Sequence, residues 1–137
     1  MDPPLFLLWG RRMSEAIQVL AGQRVFVCAE DDARLENEAD VIDLMGRLWG
    51  LEADWVAVPI SLLAEDFLRL STGVLGAVTQ KFVNYRLKLA VVGDITAQAA
   101  ASDALRDFVG EANAGGHVWF VVDLATLEQR LAVRAAG

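Results

Sequence analysis

The most suggestive chemical groups of the chain are two adjacent hydroxyls, Ser71 and Thr72, followed by Gly73 at the predicted start of an amphipathic helix. Unpaired N–H groups and the helix dipole favour negative charge at a helix N-terminus, so this triplet suits a phosphate or another anionic ligand. The same hydroxyls suit an ordinary N-cap, which satisfies those N–H groups without a ligand. The sequence leaves both interpretations open.

A second set of polar groups follows the predicted strands. In open α/β sheets, ligands gather beyond the carboxyl ends of the strands. Here those ends carry Glu30-Asp31-Asp32, Pro59-Ile60-Ser61, Gly93-Asp94 and Asp123. This edge is acidic and short of cations, and neither the dinucleotide-binding glycine pattern nor the Walker A pattern occurs. Gly93 and Asp94 are therefore candidate strand-end site residues, while nucleotide-dependent catalysis is disfavoured.

The other reactive side chains do not form a recognisable catalytic set. Cys28 is the single cysteine and lies in an apolar run, which predicts a buried structural thiol. His117 is the single histidine, and nothing in the sequence places it near Ser71 or Cys28. The acidic residues between positions 30 and 43 fit a helix start and its wet face better than a cation site. We therefore predict no enzyme activity, no metal and no cofactor.

The elements that position these groups alternate between strands and helices. Short apolar runs predict strands at Ile17 to Leu20, Arg24 to Ala29, Asp54 to Ile60, Leu87 to Val92 and His117 to Val122. Spacings of three and four predict helices at Leu35 to Trp49, at Thr72 to Tyr85, from a Ser102 cap to about Asn113, and at Leu124 to Val133. This order predicts an α/β fold with a mainly parallel sheet of four to five strands, covering helices and an N-terminal edge strand.

The spacing also predicts which helix residues are buried. The first helix has an apolar stripe of Leu35, Ala39, Ile42, Met45, Leu48 and Trp49. The long helix has a stripe of Val74, Leu75, Val78, Phe82 and Tyr85. Both stripes are expected to face the sheet.

Composition limits the classes of protein to which the chain can belong. It has 137 residues, 55% of them hydrophobic, and a net charge of -7. The length fits one domain at 13–137, preceded by a tail or upstream extension at 1–12. The acidic balance disfavours nucleic-acid binding, and no apolar window reaches the length of a membrane span. A lone cysteine with no recognisable secretion signal favours the cytoplasm.

Several phrases of the chain resemble known families. LSTG, QKFVNYRLKLAVVGD and LRDFVGEANAGGHVWFVVDL are similar to an uncharacterised bacterial family known only as a domain of unknown function. The order of elements, together with residues 67–75, 87–92 and 118–124, also resembles the STAS superfamily of sulfate transporters and anti-sigma-factor antagonists. The resemblance extends from about Val25 to Leu131.

The STAS resemblance implies a βα superhelix of about four turns and a regulatory role. In regulatory STAS proteins, a partner kinase phosphorylates a serine or threonine at the start of the second helix, usually after an aspartate. By that resemblance Ser71 is the phosphorylation site and Thr72 its neighbour, while Leu70 stands where the pattern has aspartate.

The expected function is therefore a non-enzymatic STAS-like module that binds a protein partner, with phosphorylation near Ser71 as its switch. A homodimer is compatible with this expectation. The alternative is a domain that binds a small molecule or anion at Ser71, Thr72 and Gly73 through the helix N-terminus.

Overall fold

The computed structural model describes residues 17–30, 32 and 34–136, which form a five-stranded sheet flanked by helices. The strands are β1 (Ile17–Leu20), β2 (Gln23–Val27), β3 (Trp55–Pro59), β4 (Lys88–Val92) and β5 (Val118–Val121). They lie side by side in chain order. β1 pairs antiparallel with β2, and every later pair is parallel. The predicted mixed α/β fold, mostly parallel sheet and N-terminal edge strand are confirmed.

Six α-helices lie within the described residues. They are α1 (Glu38–Leu48), α2 (Glu65–Leu68), α3 (Val74–Asn84), α4 (Thr96–Ala101), α5 (Asp103–Ala114) and α6 (Leu124–Ala136). Short 3₁₀ turns occupy Ile60–Leu62 and Leu70–Thr72. The helices at α1, α3, α5 and α6 were predicted, whereas α2 and α4 are short pieces without an apolar repeat long enough to indicate a helix.

One face of the sheet carries the larger hydrophobic core. Side chains of all four parallel strands point to this face, among them Phe26, Val56, Leu89 and Phe120. Residues from α1, α2, α3 and α5 cover it: Val41, Leu44, Met45, Leu48, Phe67, Leu68, Leu75, Val78, Phe82 and Leu105. The parallel strands follow one another in chain order across the sheet, and each connection between them is a right-handed crossover. The helices of these connections therefore all pack on the same side of the sheet.

The second face carries a smaller hydrophobic core, against which α6 packs. Leu127 and Leu131 of this helix pack against a smaller core that contains Trp55, Ala90 and Trp119. The indole rings of Trp55 and Trp119 lie 4.6 Å apart between their centroids. Burial of both faces explains why the parallel strands are near-continuous apolar runs rather than alternating ones.

Part of the predicted apolar pattern of the helices is wrong. On α1 the buried line is Val41, Leu44, Met45 and Leu48. Ile42 is 42% exposed and Trp49, just beyond the helix, is 89% exposed. Tyr85 at the end of α3 is 58% exposed, although Leu75, Val78 and Phe82 are buried as predicted. The α1 segment has apolar residues on two sides, and the spacing rule selected residues from both.

Two other predictions bear on the ends and the setting of the chain. The proposed tail at 1–12 and the domain start at 13 lie outside the described residues. Among the helices described, none is both long and apolar enough to cross a lipid bilayer.

The contrast between two tryptophans gives a test of the core assignment. We expect Trp55→Ala to lower the free energy of unfolding by about 3–5 kcal/mol, because the ring is 1% exposed and its loss leaves a cavity. Trp49→Ala should change it by less than about 0.5 kcal/mol, because that ring is in solvent. Urea unfolding followed by far-UV circular dichroism measures both. Equal losses in the two variants would contradict the assignment.

Candidate functional site

The Ser71-Thr72-Gly73 triplet does not cap α3 in the way that the sequence predicted. Leu70–Thr72 form a 3₁₀ turn, and the helix begins at Val74 with Gly73 in the N-cap position. Gly73 has φ +78°, the left-handed region that glycine adopts without a Cβ penalty. The predicted helix start at Thr72 is thus two residues early, because the backbone reverses hand at Gly73.

The two hydroxyls of the triplet have different environments. The Thr72 hydroxyl lies 2.8 Å from both the Asp66 and Arg69 carbonyl oxygens and can donate to either. Its oxygen also accepts a hydrogen bond from the Val74 N–H at 3.3 Å. Ser71 is exposed, and its side chain makes no hydrogen bond to any residue that the structure describes. Thr72 is therefore a structural hydroxyl, and Ser71 is the accessible one.

The surroundings of Ser71 favour negative charge only weakly. The turn follows β3 and precedes α3, so it lies at the carboxyl end of the parallel strands. The first turn of α3 contains no acidic residue to offset the dipole. Arg69 lies 3.5 Å from the Asp66 carboxylate, and both side chains are largely in solvent. The local field at the turn is therefore set by one exposed ion pair and one helix N-terminus.

A cavity of about 460 Å³ opens at the same end of the sheet, where the strands finish. It lies beyond β2, β3, β4 and β5, as expected for the ligand crevice of an open α/β sheet. Cys28, Glu30, Ile60, Ser61, Gly93 and Asp123 are among the residues that line it. The structure thus brings together the strand-end groups that the sequence placed at one edge, whereas Ser71 and Thr72 do not line this cavity.

Gly93 and Asp94 have identifiable structural roles at this edge. A Cβ on Gly93 would overlap the side chain of Ile60, and the residue has φ +145°. Only glycine therefore fits where β4 passes the turn after β3. The Asp94 carboxylate accepts hydrogen bonds from the hydroxyl and the N–H of Thr96, and the hydroxyl first and then the N–H hold the pKa of that carboxyl below its usual value.

Asp123 organises the opposite wall of the cavity. Its carboxylate accepts hydrogen bonds from the Thr126 N–H at 2.8 Å and the Thr126 hydroxyl at 2.7 Å, across the first turn of α6. The hydroxyl and then the amide of Thr126 lower the pKa of Asp123. Glu30 is also on the wall, and no Lys or Arg is among the described residues that line the cavity, so this lining suits a neutral or cationic ligand.

Cys28 and His117 are far apart in the fold. Cys28 follows β2 at the carboxyl end, while His117 precedes β5 at the amino end. Burial, followed by the nearby Asp32, raises the pKa of the Cys28 thiol to about 12. Cys28 is thus a neutral core thiol at physiological pH, as its apolar neighbours predicted.

The acidic stretch before and within α1 is occupied by local interactions. Asp32 lies 3.2 Å from Arg47, and Glu38 lies 3.3 Å from Lys81 of α3. The Asp40 carboxylate accepts a hydrogen bond from the backbone N–H of Glu36. No group of three or more His, Cys, Asp or Glu side chains within the described ranges is arranged to hold a metal ion. Asp31 lies outside those ranges.

Comparison with known proteins places the chain in a family. A family model described as a domain of unknown function, DUF4180, matches residues 20–131. The chain belongs to this DUF4180 family. No curated protein and no solved structure is similar enough to the chain to count as a match. The matched span of the DUF4180 model runs from the end of β1 into α6 and thus includes both the Ser71 turn and the cavity.

Sequence reasoning identified the edge of the cavity but missed its walls. Ala57 and Leu124 line it, yet the sequence assigned Ala57 only to the interior of a strand and Leu124 only to the start of a helix. The available signal was the run of small or polar residues after each strand, which marks where loops leave the sheet. The depth of the cavity depends on how those loops diverge, and a linear pattern does not contain that distance.

The Cys28 thiol gives a prediction about pH. Its pKa is higher in the folded chain, about 12, than the ordinary value of 9.0, so its stabilising effect is complete below pH 9 and is lost as pH rises toward 12. We expect the unfolding free energy of the natural chain to fall more between pH 8 and pH 10.5 than that of Cys28→Ala. Urea titrations at the two pH values measure this. Parallel losses would contradict the assignment.

Proposed function

We propose that the chain is a non-enzymatic, STAS-like regulatory module of the cytoplasm that binds a protein partner. Its contact face is the surface formed by Ser71, Thr72 and α3. The sequential strand order, with the helices between parallel strands on one face, supports this proposal because a βα superhelix has that arrangement. Fold analogy alone does not carry a function, so the proposal depends on the site.

The observation that carries the proposal is the difference between the two hydroxyls. Thr72 is held by backbone carbonyls, while the Ser71 hydroxyl is exposed and unbonded within the described chain. A kinase needs an accessible hydroxyl in a segment that can leave the surface locally. The Ser71 turn offers such a hydroxyl because Ser71 and Thr72 are exposed, and Leu70 alone of its three residues packs partly against the larger core.

A phosphate on Ser71 would change the contact face mainly through charge. It adds roughly -1.5 to -2 charges and three strong acceptor oxygens. These charges would lie just before the N-terminus of α3, where the dipole tolerates them. A partner that packs apolar or acidic groups on the face would then lose affinity through desolvation and repulsion.

The placement of the reactive groups supports a role without catalysis. Cys28 is a neutral buried thiol, and His117 lies at the other end of the sheet. A nucleophile needs a base within hydrogen-bond reach, and these two groups cannot provide that pair. The partner is another protein or a second copy of the chain, and neither nucleic acid nor membrane is required.

Substitution of Ser71 tests the switch. We expect Ser71→Asp to weaken partner binding about tenfold or more, as repulsion or desolvation of about 1.4 kcal/mol does. Ser71→Ala should bind normally and resist modification. An affinity pull-down with the natural chain followed by mass spectrometry identifies the partner and any phosphate at Ser71, and titration with that partner measures the variants.

Gln98→Glu is the matched control, because it adds one negative charge isosterically at an exposed position of α4, outside the proposed contact face of Ser71, Thr72 and α3. It should leave binding unchanged. If Ser71→Asp and Ser71→Ala both bind as the natural chain does, the switch is disproved. If Gln98→Glu weakens binding as much as Ser71→Asp, the effect is one of net charge.

The second candidate function is the binding of a small molecule. The strand-end cavity is a better place for that ligand than the helix N-terminus at Ser71, Thr72 and Gly73. The cavity is within the size range of small-molecule sites, about 300–1,000 Å³. Its carboxylates on Glu30 and Asp123 select against phosphates and favour amines or neutral polar molecules.

A thermal-shift screen distinguishes this candidate. Amines and neutral heterocycles should raise the melting temperature, and the rise should be lost in Ser61→Phe, which fills the mouth of the cavity from an exposed position. Ser71→Ala should keep the rise. If phosphates raise the melting temperature and Ser71→Ala abolishes that rise, the ligand site is instead at the helix N-terminus.

A further inference from the structure

Two arginines of α6 lie together at the end of the sheet opposite the Ser71 turn. Arg130 and Arg134 are one helical turn apart, and both guanidinium groups lie over the ring of Trp119, at 4.0 and 5.7 Å from its centroid. Neither forms an ion pair with an acidic side chain among the described residues. Like charges at this spacing repel each other on a helix, and no acidic side chain in the described ranges pairs with either arginine to offset that repulsion.

The two guanidinium groups differ in how they are held. Arg130 donates to the backbone oxygen of Asn113 at 2.6 Å and to the side-chain oxygen of Asn113 at 3.4 Å. Burial and the adjacent Arg134 lower the pKa of Arg130. Arg134 makes no hydrogen bond to any part of the chain that the structure describes, so its planar set of donors is free. One arginine is thus fixed and the other is available.

A glycine allows the free guanidinium to lie close to the backbone. A Cβ on Gly116 would be 2.7 Å from Nη2 of Arg134 and 2.9 Å from its Nη1. The two arginines, Trp119, Asn113, Gly115 and Val133 border a cleft of about 510 Å³. This volume is enough for a small organic molecule, and its walls combine apolar surface with two cations.

We infer that this cleft between α5 and α6, defined by Arg130, Arg134 and Trp119, binds the carboxylate or phosphate group of a small organic anion. A guanidinium matches both groups with two parallel N–H donors, and Arg134 has those donors free. Arg130 adds the second positive charge from a position fixed by Asn113. The chain as a whole has a net charge of -7, so two neighbouring arginines make this cleft locally positive, and a bound oxyanion neutralises that charge.

Calorimetric titration of the full chain in low-salt buffer tests the inference, with inorganic phosphate as one probe and benzoate as the other. Binding of phosphate alone assigns a phosphate site, and binding of benzoate alone assigns an apolar carboxylate site. Arg134→Gln should lower the affinity for the probe that binds about tenfold or more, as expected when a charged hydrogen-bond pair is lost. Arg134→Lys keeps the charge but lacks the planar pair of donors, so its affinity for the probe should lie between those of the natural chain and Arg134→Gln.

Two further variants complete the test. Gly116→Ala should also weaken binding, because the new methyl group displaces the flexible end of Arg134 at little cost to folding. Arg106→Gln removes an exposed arginine of α5 that is paired with Asp103, and it should leave affinity unchanged. Melting temperatures without probe verify that each variant folds. No heat with either probe, or a similar loss in Arg134→Gln and Arg106→Gln, would overturn the inference.

Discussion

The fold depends on how its second face is covered. Because the parallel strands follow one another in chain order, right-handed crossovers place α1, α3 and α5 on the same side of the sheet. Within the described part of the chain, the segment after β5 reaches the other side without a crossover, and α6 does so through Leu127 and Leu131. Large and small side chains pack together on this face. Ala57 and Ala90 leave room for the two tryptophans of the same core. The volume of Trp55 contributes to this packing even though its Nε1 has no hydrogen-bond partner among the residues that the structure describes.

The two candidate sites are consequences of that arrangement at opposite ends of the sheet. At the carboxyl end, the loops after β2, β3 and β4 turn toward one face while the loop after β5 turns toward the other, and the strand-end cavity lies where they part. At the amino end, α6 returns past the end of α5, and Trp119 provides the surface on which Arg130 and Arg134 rest. The helix α6 therefore contributes to both concave surfaces, through Leu124 at the carboxyl end and through Arg130, Val133 and Arg134 at the amino end.

The strands and the principal helices were predictable because each carries its own local signal. β3, β4 and β5 are continuous apolar runs, as strands buried on both faces must be. Ser102 was identified as a cap, and its hydroxyl oxygen accepts the Leu105 N–H as a cap should. The buried side of α1 was not predictable in the same way, because Ile42 and Trp49 keep a helical spacing with the buried Met45 and Leu48. Periodicity cannot decide which of two apolar lines meets the sheet.

The position of the Ser71 turn could be predicted from the sequence, but its detailed geometry could not. Glycine after two hydroxyl residues indicated a helix start near residue 72, yet the left-handed conformation of Gly73 and the carbonyl oxygens near Thr72 depend on how residues 66–73 fold together. Under the proposed STAS-like interpretation, Leu70 stands where the regulatory pattern has aspartate, and the same folding accounts for the apolar residue there. Leu70 packs against the larger core, so an aspartate there would lose apolar contact and be partly desolvated. Under the same interpretation, an acidic group that marks Ser71 for a kinase would come from an exposed neighbour such as Asp66, whose carboxylate is paired with Arg69.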